Sequence, residues 1–124
     1  MIRNDFLKNQ IERFNGEARL NPEIKTLWVE ALRSGNYPQG KDYLKKDGEY
    51  CCLGVLCEVV DLEQETWNSG EVKFITGDDW STTNVPQDYA DEIGLDPYWC
   101  DFLIGENDCR ATFEELADVI EEYL

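Results

Sequence analysis

The stretch Cys51–Val60, CCLGVLCEVV, constrains the fold most. It is ten residues long, and only Glu58 breaks its apolar character. A membrane span needs roughly 18 such residues, so this run has to be buried within protein. The run suits either a buried helix or a buried strand; its length, with Leu53, Leu56, Cys57 and Val60 at helical spacing, favours the helix. It also holds three of the five cysteines, the others being Cys100 and Cys109. An odd count with an adjacent pair does not suit a disulfide framework. The thiols are expected to behave as small buried hydrophobes in a reducing compartment. Cys52 and Cys57 have a spacing a zinc site tolerates, but Cys100 and Cys109 lie too far apart, and no metal or cofactor is expected.

Elements around this run follow from local signals. Residues 4–15 read as a helix with Phe6, Leu7, Ile11 and Phe14 on one stripe and Gly16 at its end. Asn21 and Pro22 are an N-cap and first-turn proline, and Gly35 suits a left-handed C-terminal cap. Between them Ile24, Leu27, Trp28, Ala31 and Leu32 form one apolar face. Tyr43–Lys46 and Glu49–Cys52 flank Asp47-Gly48, a strong hairpin signal. Val72–Ile75 is expected as a strand, paired across Asn68-Ser69-Gly70. Pro86–Ile93 should be a helix ending at Gly94, and Asp96-Pro97 should open a short helical turn through Leu103. Thr112 and Glu115 make a capping box before a last helix carrying Phe113, Leu116, Ala117, Ile120 and Leu124. The expectation is an α+β fold, predominantly helical. It should have four to five helices, one or two short β-hairpins and a single layer of sheet, in one domain over residues 1–124.

Charge divides the chain. Residues 1–60 balance nine bases with nine acids, whereas residues 61–124 hold eighteen acids and two bases, Lys73 and Arg110, and so carry the whole net charge of −16. Such a field repels nucleic acid and anionic membranes and attracts basic partners. There is no histidine, which excludes Ser-His-Asp and Cys-His catalysis within the chain. Neither a P-loop nor a dinucleotide fingerprint is present. The abundant carboxylates leave a metal-dependent nucleotide hydrolase as a third reading; no catalytic residue is assigned.

One segment runs against the field. Residues 33–46 set Arg33, Lys41, Lys45 and Lys46 against the single acid Asp42. Arg offers a planar fork for phosphate, Lys a point charge and Tyr a stacking face. Arg33, Ser34, Tyr37, Gln39, Lys41 and Lys45 are therefore the expected ligand-binding set for a small anionic, nucleotide-like ligand. The competing reading pairs these bases with the acidic half. Trp28 belongs to the core, while Trp67, Trp80 and Trp99 either line a pocket or cap the core.

Two motifs carry a resemblance. Asn21-Pro22-Glu23-Ile24-Lys25, continuing through Trp28-Val29-Glu30-Ala31-Leu32-Arg33-Ser34-Gly35-Asn36-Tyr37-Pro38-Gln39-Gly40, and then Tyr50-Cys51-Cys52-Leu53-Gly54-Val55-Leu56-Cys57, are similar to a family of small uncharacterised bacteriophage and prophage proteins. The closing stretch Ala111–Ile120 matches as well. The resemblance covers residues 21–124 and leaves residues 1–20 as a helical extension. It implies a phage origin and the cytoplasm of a host bacterium, and it suggests a role against host defence. The expected function is a non-catalytic, homo-oligomeric binder that sequesters a cyclic nucleotide or a cyclic ADP-ribose-like signal. The alternative is an acidic DNA mimic that inhibits a basic host protein, with Glu114, Glu115, Asp118, Glu121 and Glu122 as its charges.

Overall fold

A computed structural model describes residues 5–12 and 19–124. Among the described residues the chain runs α1 (Asp5–Glu12), α2 (Pro22–Arg33), β1 (Lys45–Lys46), β2 (Glu49–Tyr50), α3 (Cys52–Val59), β3 (Glu63–Thr66), β4 (Val72–Thr76), β5 (Asp79–Ser81), α4 (Gln87–Ile93), α5 (Pro97–Cys109) and α6 (Phe113–Tyr123). This is the expected helix-rich α+β architecture. In α1, Leu7 and Ile11 are buried; the expectations for Phe14, for Gly16 and for the Phe6 side chain lie outside the described residues.

The apolar run forms α3, and Cys52 to Cys57 are all buried. Helix α2 packs on α3 and α6, and α5 packs on both of these in turn. Trp28 is fully buried in this junction, and its indole N–H donates to the Cys52 carbonyl at 2.8 Å. The α2 face departs from expectation: Trp28, Val29 and Leu32 are buried, whereas Leu27 is 47% exposed. Seating α2 between two helices turns its buried arc toward Val29. Gly54 is the residue that lets α3 seat, since a β-carbon there would strike the Leu44 carbonyl.

Capping follows the sequence signals. The Asn21 side chain accepts from the N–H groups of Glu23 and Ile24, and the Thr112–Glu115 box is complete. Asp47 and Gly48 both take positive φ, 52° and 82°, as a type I′ hairpin turn requires. That hairpin is shorter than expected, because Cys51 and Cys52 are drawn into the start of α3.

Two differences are informative. Helix α5 continues to Cys109 instead of stopping near Leu103, which gives six helices among the described residues in place of four to five. Gly105 and Asn107 look like stop signals, but Asn107 is 2% exposed and bonded into neighbouring segments, so tertiary contacts carry the helix on. The acidic stretch after α3 forms a three-stranded antiparallel meander, ordered β3-β4-β5, of which only β4 and its pairing across Asn68-Ser69-Gly70 are foreseen. Val72 and Phe74 turn its inner face to the core. Backbone bonds from Leu44 to Thr82 and from Asp47 to Gly70 tie it to the first hairpin.

Candidate functional site

The six sequence-predicted ligand residues fall into three separate places. Arg33 ends α2, and its guanidinium reaches across to α6. It bonds Asp118 at 2.6 Å and Glu121 at 2.9 Å, with Glu114 at 3.7 Å. Hydrogen bonds from Arg33 hold the Glu121 carboxyl below its ordinary range. Ser34 donates to the Ala31 carbonyl and accepts from the Asn36 N–H, closing the helix. Both residues border a hollow of about 450 Å³ that is electrically balanced, because Lys25 and Arg33 face Glu30 and Glu121.

Lys45 belongs to a second group. Its ammonium donates to Glu58 at 2.8 Å and to Gln64 at 3.3 Å. Tyr50 and Gln64 also donate to Glu58, each at 2.9 Å. Burial alone would raise the Glu58 pKa, but these three hydrogen bonds outweigh it and the carboxyl sits below its ordinary value. Tyr37 stacks edge-on against Tyr50 at 5.3 Å and serves this cluster.

Gln39 and Lys41 make the third place, and the network beneath them explains its shape. The Gln39 amide donates to Asn107 Oδ1 at 3.0 Å and to the Ala111 carbonyl at 2.8 Å, and its oxygen accepts from the Phe113 N–H at 3.2 Å. Asn107 donates to the Gly40 carbonyl at 2.9 Å and accepts from the Cys52 N–H at 3.2 Å. The Cys52 N–H is one of the unpaired donors at the start of α3. It is buried, so leaving it without an acceptor would cost about 1–3 kcal/mol. Two amide side chains thus staple the Gln39–Asp42 loop to the starts of α3 and α6 and to the end of α5.

Above this staple lies a hollow of about 400 Å³ between the Gln39–Lys41 loop and the α5–α6 turn, bordered by Asn107, Cys109, Arg110, Ala111 and Thr112. Its charged lining residues are Lys41 and Arg110, with no carboxylate among them. Lys41 is exposed and also borders an adjoining hollow of about 240 Å³, where Lys41 and Lys46 face Asp47 and Glu49. Arg110 is loosely paired with Glu106 at 3.9 Å. Arg110, Asn107 and Thr112 are absent from the predicted set. The available signal for Arg110 is its isolation as one of two bases in residues 61–124; Asn107 has no local signal.

The cysteines divide in a way composition does not show. Cys51, Cys52, Cys57 and Cys100 are buried, but Cys109 is exposed at the rim of the hollow. Burial pushes the Cys51 thiol up to about 11 and Cys100 to about 12, so both stay protonated at neutral pH. No group of three or more Cys, Asp or Glu among the described residues is arranged to hold a metal ion. The α6 carboxylates do not stand as a free row either, since Asp118 and Glu121 pair with Arg33 and Glu115 caps its own helix. No described helix is long and apolar enough to cross a membrane.

A family model described as a domain of unknown function (DUF8296) matches residues 20–101. The chain belongs to this family. The match takes in α2 through the first turns of α5, including the Gln39–Lys41 loop, and stops before the Asn107–Thr112 side of the hollow. No curated protein and no solved structure matches the chain.

Proposed function

We propose that this protein binds a small anionic ligand, without turning it over, in the hollow between the Gln39–Lys41 loop and the α5–α6 turn. The observation that carries the reading is the lining: two cations and no carboxylate, in a chain of net charge −16. A hollow of about 400 Å³ falls within the size of small-molecule sites. Lys41 supplies a mobile point charge and Arg110 a planar fork, the pair suited to phosphate oxygens. Glu106, 3.9 Å from Arg110, offsets part of this charge, and screening over about 8 Å at physiological salt weakens the acids farther away. Arg33 and Lys45 bond carboxylates closely, at 2.6 Å and 2.8 Å, against 3.9 Å for Arg110 and Glu106, so they support the fold around the site instead of touching the ligand.

The resemblance to phage proteins sets the context. The ligand class is a nucleotide signal, such as a cyclic dinucleotide or cyclic ADP-ribose, sequestered inside a host bacterium by a homo-oligomer. The absence of histidine speaks for binding over catalysis. Calorimetry of the full chain against a panel of these nucleotides tests the proposal. The expected result is binding that weakens at least ten-fold in Lys41→Ala/Arg110→Ala, with the nucleotide recovered intact. Failure of every nucleotide to bind, or equal binding by the double variant, overturns it.

A further inference from the structure

The outer face of the β3–β5 meander is a second surface, unconnected with the hollow. Strand alternation turns Val72 and Phe74 inward, and so leaves Lys73 and Ile75 on the opposite side. Glu65 stands opposite Lys73, and Glu63 and Trp80 stand on either side of Ile75. Trp67 follows directly after β3. The two indoles meet edge to face, 6.0 Å apart, and remain 36% and 49% exposed for Trp67 and Trp80. Trp28 and Trp99 are buried in the core, whereas Trp67 and Trp80 lie outside it.

The surface already binds one cation. Lys73 Nζ lies 4.8 Å from the centre of the Trp80 ring and 3.8 Å from Glu65. An indole face with an adjacent carboxylate is the arrangement that recognises an ammonium or guanidinium group. Residues 61–85 contain six acids, Asp61, Glu63, Glu65, Glu71, Asp78 and Asp79, against Lys73 alone. A polyanion is repelled here. A purely apolar partner would strip water from carboxylates without pairing them, which is unfavourable. A cationic segment satisfies rings and carboxylates together.

We infer that the Trp67–Trp80 face docks a basic, arginine- or lysine-rich segment of a partner protein. Lys73 already lies over Trp80 and beside Glu65, so the incoming cations take the indole surface that remains exposed and pair with Glu63. The test is a titration of the full chain with a synthetic peptide of alternating arginine and glycine, followed through the four indole N–H resonances and by anisotropy of the labelled peptide. The expected result is movement of the Trp67 and Trp80 signals, with Trp28 and Trp99 unmoved, and binding that weakens as salt rises. Trp80→Leu keeps apolar area but removes the π face, and should weaken the peptide at least ten-fold. Asp101→Asn/Glu122→Gln removes two charges elsewhere and should change it less than two-fold. Equal weakening by that distant variant would mean diffuse charge attraction and would overturn the inference. So would indole shifts produced by neutral maltohexaose and indifferent to salt, which would mark a carbohydrate surface. Absence of peptide binding up to millimolar concentration overturns it as well.

Discussion

Between Arg33 and Lys46 the polar side chains are mostly spoken for within the molecule: Arg33 by Asp118 and Glu121, Lys45 by Glu58, Gln39 by Asn107 and Ala111. On the outer face of the β3–β5 meander Lys73 is engaged by Glu65 and Trp80, yet the rings of Trp67 and Trp80 remain partly exposed, at 36% and 49%. A run of bases in a sequence therefore did not by itself mark a free surface, and an acidic, turn-rich stretch did not mean an empty one. Long charged side chains reach several ångströms and find partners far along the chain, whereas a residue on the solvent face of a strand has nowhere else to go.

Breaking each region should separate these roles. The largest effect is expected at the staple beneath the basic segment. Asn107→Ala removes the acceptor for the buried Cys52 N–H and the donor to Gly40, and should lower unfolding stability by about 3 kcal/mol in urea titrations. A value near zero would mean that the loop is held by something other than the Gln39–Asn107 pair.

The next effect concerns pH. Glu58 and Glu121 both have pKa values below 4.5, their ordinary value. A depressed carboxyl contributes stability above its unfolded pKa and loses it as pH falls through the folded value, so the loss begins below about pH 4.5. Protonation also relieves the repulsion of a −16 chain, which acts in the opposite sense. The clean measurement is the difference between wild type and Glu58→Gln in urea midpoint from pH 6 to pH 2.5. That gap should be widest at pH 6 and should shrink on acidification.

Arg33→Ala should cost less, about 1 kcal/mol or below, because the guanidinium and its partners are partly in water and screened. Its effect should fall further at 0.5 M salt. The smallest change is expected on the meander: Trp80→Ala should shift stability by under about 0.5 kcal/mol, as for surface sites generally. A loss comparable to that of Asn107→Ala would show that the exposed rings hold the sheet together, and the contrast between the two regions would vanish.

Much of the architecture was legible one segment at a time. Asn21-Pro22, Asp47-Gly48, Gly94 and the Thr112–Glu115 box act over four residues or fewer, and each behaves as its chemistry requires. The apolar run forms a helix, α3, whose residues Cys52 to Cys57 are buried, as its length and spacing favour. The candidate site was only partly legible. Gln39 and Lys41 lie where the predicted segment put them, but Arg110, which completes the cationic lining, is 69 residues beyond Lys41.

Sequence alone determined most of the helices, the caps, the burial of α3, the charge asymmetry and the exclusion of histidine chemistry. Tertiary structure decided how far α5 runs, which side of α2 is covered, which cations are neutralised and which tryptophans remain outside. The dividing line is physical. Capping and turn geometry are settled by hydrogen bonds within a few residues. Ion pairing and exposure depend on which distant surfaces packing brings within about 4 Å, a distance that no local pattern encodes.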